Sequence, residues 1–104
     1  MEEVKFVVGK NDRDNWRLYR ESGQDSTIFH LDKFSSSYVI VEVPVDKLTP
    51  AQILDGARLC KSHSKYRDVP KIGVMYTSRS NTHLGDKVGE FIVKSNRKRR
   101  VVVV

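Results

Sequence analysis

Cysteine is nearly absent from this sequence, which contains Cys60 alone among its 104 residues. A single cysteine excludes an internal disulfide, and it excludes a zinc site built from several thiolates. Chains without disulfides are typical of reducing compartments, which favours a cytoplasmic or nuclear location. Cys60 shares a helical face with Ile53 and Ala57, so we predict that it is a small core residue and not a nucleophile.

Long apolar runs are also absent. The longest run has only a few residues, which is too short to span a bilayer. The acidic start, Met1-Glu2-Glu3, lacks the apolar segment of a signal peptide. We therefore expect one soluble domain over residues 1–104, which is long enough to bury a core without a disulfide or a structural metal.

Patterns that carry catalysis or hold metals are missing as well. The three histidines, His30, His63 and His83, have no partner at ligand spacing. Gly85 and Gly89 lack the loop-to-helix context of a phosphate-binding loop, and turn formation explains them better. No nucleophile with a base and an orienting group can be assembled from local spacing. The sequence thus predicts a protein that is not an enzyme and uses no metal or cofactor.

Charge is present in excess and is unevenly distributed within a net charge of +6. Residues 1–57 contain 7 basic and 10 acidic side chains, which gives −3, whereas residues 58–104 contain 12 basic and 3 acidic ones, which gives +9. A cationic excess in one part of a chain indicates a polyanionic partner. A basic surface that only aids solubility is the alternative interpretation.

Hydrophobic patterning predicts an α+β fold. We expect an antiparallel or mixed sheet of about five to six strands, with one main helix packed on a face and a short second helix. The predicted strands are residues 4–8, 27–31, 38–43, 71–77, 88–93 and 100–104. The last two are predicted to form a terminal hairpin, and residues 78–87 a long polar loop.

Helix-start signals place both helices. Asn11 or Asp12 can cap the short one. The main helix begins after Thr49, because Thr49 and Gln52 have the spacing of a capping box. Gly56 in the middle of this helix costs roughly 1 kcal/mol relative to alanine, which indicates close packing there.

Three polar stretches are candidates for contacts to nucleic acid. The tip of the predicted hairpin offers Lys and Arg side chains that match phosphate oxygens: Lys94, Arg97, Lys98, Arg99 and Arg100. The other stretches and neighbouring groups add polar donors: Arg79, Ser80, Lys33, Ser35, Ser36, Ser37, Lys10, Arg13 and His30. The aromatic candidates for stacking on bases are Tyr66, Tyr38, Phe34 and Trp16, although core positions explain Phe34 and Trp16 better.

Residues 28–39 resemble the signature of the NFACT-R domain, the RNA-binding module of the NFACT proteins of ribosome-associated quality control. The signature is an aromatic-rich strand ending in His30, a short loop with small residues, and a second strand. Further similar segments follow the family's order almost throughout the chain: residues 8–11, 55–64, 74–77 and 88–91. The resemblance implies binding of RNA or another nucleic acid without catalysis, with the ribosome or tRNA as partners.

The resemblance is to the small stand-alone members of the family, whose eukaryotic forms often add a coiled coil. Residues up to Val104 contain no such heptads, so the sequence is either a minimal version or lacks a tail. Two positions depart from the family pattern. Ile28 stands where the family usually has Trp, and Tyr38 stands where it has a second His.

Two other functions remain open from the residues. One is a protein-interaction adaptor that uses a basic face or an edge strand. The other is a nuclease in which His30 acts with a carboxylate such as Asp32. The sequence leaves open RNA versus DNA and the oligomeric state.

Overall fold

Two α-helices and seven strands form an α+β structure in the computed structural model, which describes residues 4–104. The fold class predicted from the sequence is confirmed. Within the described residues, no helix combines the length and apolar character that a membrane crossing requires. In chain order the elements are β1 (Phe6–Val8), α1 (Asp12–Glu21), β2 (Thr27–Leu31), β3 (Val39–Val41), α2 (Pro50–Ser62), β4 (Gly73–Ser78), β5 (Thr82–Leu84), β6 (Phe91–Val93) and β7 (Arg100–Val103).

The main sheet has the strand order β1-β3-β2-β4-β7, and every neighbouring pair is antiparallel. Because side chains alternate along a strand, β2 sends Phe29 and Leu31 to one face and Ile28 and His30 to the other. The first face packs against α2 and contains the larger apolar cluster. The second face packs against α1 and against the small sheet formed by β5 and β6.

Helix α2 begins as its sequence predicts. The Thr49 side chain accepts from the Gln52 backbone N–H at 3.1 Å, and the Gln52 side chain accepts from the Thr49 backbone N–H at 2.9 Å. Gly56 lies directly over the Phe29 ring, so the close packing predicted there is confirmed. Cys60 is fully buried, and burial raises the pKa of its thiol to about 11, which keeps it protonated at neutral pH.

Helix α1 is capped by Asn11, whose side chain accepts from the Asp14 backbone N–H at 2.9 Å. Its inner face buries Tyr19 against Ile28 and Ile40 of the main sheet. The short second helix is therefore confirmed, and it extends to Glu21.

The predicted terminal hairpin is wrong. Strand β6 pairs with β5, where Thr82 lies opposite Val93, and β7 pairs with β4, where Met75 lies opposite Val101. Beside β4, Val102 lies opposite Val74 and packs into the apolar cluster under α2. The prediction of a loop throughout residues 78–87 is wrong as well, because these residues contain β5, which pairs with β6.

Candidate nucleic-acid interface

A cleft of about 540 Å³ opens between the end of β2 and the segment leading into β6. Met75 and Phe91 contribute apolar walls, and basic side chains border the opening. Four of the predicted polar residues line this cleft: His30, Lys33, Ser35 and Arg99. The cleft is lined also by Lys87, which was not predicted, and by the carboxylates of Asp12 and Glu90.

The wall formed by residues 85–90 is fastened to the rest of the molecule at two points. The Tyr38 hydroxyl donates to the Gly89 carbonyl at 2.6 Å, and the Trp16 indole N–H donates to the Glu90 carbonyl at 3.0 Å. Gly89 has φ of +90°, and a Cβ there would lie 2.6 Å from the Asp12 side chain. Glycine is required here because of the positive φ and the close approach of the Asp12 side chain. The conformation of this wall is therefore set by the amino-acid sequence.

The same contacts decide the roles of two aromatic candidates. Tyr38 is fully buried, and burial raises the pKa of its phenol above the usual range. It therefore offers no face for stacking on a base. Trp16 is half-buried against the α1-side core, as its core interpretation predicts.

His30 is held between two aromatic rings. Its ring lies edge-on to Tyr38 at 5.8 Å and to Phe91 at 5.3 Å between centroids. Nδ1 lies 2.7 Å from the Leu31 carbonyl oxygen. Because a carbonyl can only accept, the neutral ring carries its proton on Nδ1 and leaves Nε2 as an acceptor. Burial lowers the pKa of His30, so at neutral pH the residue contributes hydrogen bonding and not charge.

The second group of predicted residues lies in the segment between β6 and β7, which we call the basic connector, residues 94–99. Two hydrogen bonds join the Asn81 side chain to the Ser95 backbone, at 2.9 and 3.0 Å. The Thr77 hydroxyl donates to the Lys98 carbonyl at 2.9 Å. Asn81 and Thr77 are buried, so the connector is held on a rigid base while its side chains remain exposed: Lys94, Arg97 and Lys98.

Arg99 joins the connector to the cleft, but its charge is compensated. Its guanidinium forms an ion pair with Asp32, which also lines the cleft. The carboxylate considered as a partner for His30 in a nuclease is therefore bound to an arginine instead. Of the three ion pairs found within residues 4–104, this is the one that involves a cation from residues 58–104.

The other predicted residues occupy different positions. Arg79 lies over the Tyr19 ring, 4.4 Å from its centroid, and Ser80 is anchored through its backbone N–H to Gln24. Both precede Asn81 and so lie beside the connector. Arg100 is exposed at the start of β7, opposite Tyr76.

The remaining predicted residues are Lys10 and Arg13, near the start of α1, and Ser36, in the loop after β2. Lys10 and Arg13 are exposed on either side of Asp12, which lines the cleft. The Ser36 hydroxyl points inward and accepts from the Leu31 backbone N–H at 3.0 Å. Ser36 therefore shapes the loop after β2, whereas Ser35 is exposed to solvent.

Phe34 differs most from its sequence interpretation. A core position was favoured, but its side chain is 44% exposed, so that interpretation is wrong. Its ring packs against Tyr66, with 4.3 Å between centroids and 32° between planes. Phe34 lies in the loop after β2, outside the strand whose alternation indicates which residues are buried.

The family model of the NFACT protein RNA binding domain matches residues 1–95. This chain belongs to that family. The chain is also similar to a solved structure of the C-terminal part of the fibronectin/fibrinogen-binding protein from Streptococcus suis, with a TM-score of 0.83 and 22% identity. That match covers 98% of this chain and 41% of the other, so the chain spans less than half of that relative. A search of curated proteins found no match.

In this NFACT RNA-binding domain the signature segment has a clear structural meaning. His30 is the penultimate residue of β2 and reaches the cleft, and the loop that follows supplies Lys33 and Ser35 to its border. Tyr38 fastens the opposite wall through Gly89. Membership of a family of RNA-binding domains suggests nucleic-acid binding.

The lowered pKa of His30 predicts a pH-dependent stability. In the unfolded chain the imidazole returns to a pKa near 6.5, so below that pH the unfolded state binds more protons than the folded state. Stability should therefore fall as the pH is lowered from about 7.5 to about 5.5, by at most about 1.4 kcal/mol per pH unit from this group.

Urea unfolding at several pH values measures the effect. His30→Gln should flatten the dependence, whereas His83→Gln, at an exposed position, should leave it unchanged. An equal slope in wild type and His30→Gln would mean that His30 is not the group responsible.

Proposed function

We propose that this NFACT RNA-binding domain binds RNA without catalysing a reaction on it, and that the cleft and the basic connector form its contact surface. The observation that carries the proposal is the set of exposed connector cations with no ion-pair partner among residues 4–104: Lys94, Arg97 and Lys98. Unpaired Lys and Arg on a rigid backbone are suited to phosphate oxygens, which dominate nucleic-acid affinity.

The position of the acid–base groups supports a non-catalytic role. His30 donates to a backbone carbonyl, and Asp32 pairs with Arg99, so the two do not form a base–carboxylate pair. Within the described part of the chain, no cluster of three or more His, Cys, Asp or Glu side chains could hold a metal ion. Binding is the activity that the remaining groups fit.

RNA binding at increasing salt tests the proposal. We expect the logarithm of the association constant to fall linearly with the logarithm of the salt concentration, by roughly 0.7–0.9 per phosphate neutralised. The same incubation should leave the RNA intact. Absence of binding at low salt would contradict the proposal, as would RNA cleavage that is lost in His30→Gln.

The RNA source is the finer part of the proposal. On the family resemblance, the bound RNA belongs to the ribosome or to tRNA in quality control. Sequencing of the nucleic acids crosslinked to the protein in cells tests this. Enrichment of ribosomal RNA or tRNA supports it, and enrichment of other RNA or of DNA contradicts it.

One observation favours a second candidate, a protein-interaction adaptor. Strand β7 lies at the end of the main sheet, and its Val101 and Val103 side chains are 44% and 58% exposed. An exposed apolar edge strand can pair with a strand from another chain. Partners that remain bound after nuclease treatment, together with no RNA binding, would favour this candidate.

A further inference from the structure

The loop after β2 presents an aromatic ring to solvent at the border of the cleft. Phe34 is 44% exposed although it packs against Tyr66. The surface that Tyr66 does not cover adjoins the cleft, since Phe34 is one of its lining residues. A ring held in this way by a second ring keeps its orientation and still has room for a third planar group.

The side chains around Phe34 are chemically complementary to a nucleotide. Lys33 and Lys87 line the same cleft, are exposed, and have no ion-pair partner within the described ranges. Ser35 adds an exposed hydroxyl beside them. Cations and hydroxyls can bind phosphate and sugar, and the face of an aromatic ring can stack on any of the bases.

The volume of the cleft and its acidic side chains further limit which ligands can bind in it. A volume of about 540 Å³ lies within the range of about 300–1,000 Å³ typical of pockets for small organic groups, so one base with its sugar fits. Asp12 and Glu90 also border the cleft. Their carboxylates can accept hydrogen bonds from base amino groups, and they disfavour a densely charged occupant such as a run of phosphates.

We propose that the cleft takes one unpaired base, stacked on Phe34, with the adjoining phosphate at Lys33 and Lys87. This rests on the proposed RNA-binding function and names the form of nucleic acid that the site selects. In a duplex the flat faces of the bases are covered by their neighbours, so only a single strand, bulge or loop can supply such a base. The domain therefore prefers unpaired segments to continuous duplex.

The test compares a single-stranded oligonucleotide that contains one 2-aminopurine with the matched duplex. Stacking on an aromatic ring quenches 2-aminopurine fluorescence, so wild type should quench the single strand on binding. Phe34→Leu keeps an apolar side chain but removes the ring, and we expect it to lose the quenching and about 5- to 150-fold of single-strand affinity. Its affinity for the duplex should stay within about twofold, because phosphate contacts remain.

Ile92→Ala is the matched control, because Ile92 is also 44% exposed but does not line the cleft. It should bind and quench like wild type. Equal binding and quenching by wild type and Phe34→Leu would overturn the stacking site while leaving RNA binding in place. A wild type that binds neither single strand nor duplex would overturn the proposed function itself, and the two failures are therefore distinguishable.

Discussion

Replacing Lys94, Arg97 and Lys98 together with glutamine should weaken RNA binding by about 100-fold at a salt concentration of about 0.1 M. Each unpaired cation that neutralises a phosphate adds about 0.7 to the slope of the log–log salt plot for a single strand. Three such cations therefore account for about 2 in the slope and for about two orders of magnitude in affinity at that salt concentration. Glutamine keeps most of the side-chain stem, so loss of packing contributes little.

The matched control removes the same number of charges elsewhere. Lys5, Lys47 and Arg58 are exposed, do not line the cleft and lie outside the connector. Glutamine at these three positions lowers the net charge equally but should change the slope by less than about 0.5, because no phosphate contact is lost. Equal losses in the two triple variants would show that net charge, and not the connector, governs binding.

Arg99 is left out of the variant for a structural reason. Its guanidinium pairs with the partly buried Asp32, so its removal would leave a carboxylate without its partner. Breaking such a pair destabilises a fold, which would mix stability with affinity. The connector cations have no such role among the described residues, and their hold on the molecule runs through Asn81, Thr77 and the backbone.

The elements that the sequence predicts well are those set by neighbouring residues. The capping box joins Thr49 and Gln52, three positions apart, and the cap of α1 joins Asn11 and Asp14 in the same way. The buried strand β2 reads directly from its apolar residues. In each case the signal for the element lies within one turn or one strand, so composition and spacing contain the information needed to predict it.

The strand pairing of the second half could not be read in this way. Residues 88–93 and 100–104 are adjacent in sequence, and adjacent strands often pair, which favours a hairpin. The structure instead places β7 beside β4, where Val102 is covered by the α2-side cluster. This choice depends on the apolar surface that the whole sheet leaves uncovered, which no local window contains.

For the candidate site too, the sequence indicates which residue types are suitable but not where the fold places them. Sequence reasoning selected His30, Lys33 and Arg99 by chemistry, and the fold brings them to one cleft. It did not find Lys87, because the glycines around that residue gave only a turn signal. Nor could it separate Ser35 from Ser36, whose hydroxyls point to solvent and to the Leu31 backbone respectively.

Gly56→Val should destabilise the protein by about 3 kcal/mol, the upper part of the range for overpacking a core. A Cβ at Gly56 would lie 2.6–2.9 Å from three carbon atoms of the Phe29 ring. That ring has no room to retreat, because it is fully buried, stacks on Tyr76 at 5.5 Å between centroids and meets Phe6 edge-on at 6.1 Å. The helix must therefore move away from the sheet or the aromatic cluster must rearrange.

The sign of the change in the free energy of unfolding distinguishes an effect of overpacking from an effect of helix propensity. In an uncrowded helix, valine is more favourable than glycine by a few tenths of a kcal/mol, so Gly56→Val would then stabilise the protein.

Gly23→Ala is the control, since a Cβ at Gly23 would have no neighbour closer than 3.8 Å. It should be neutral or stabilising by up to about 1 kcal/mol. The midpoint of urea unfolding, at an unchanged slope, measures both variants. A stabilised Gly56→Val would contradict the close approach of helix and sheet at Phe29.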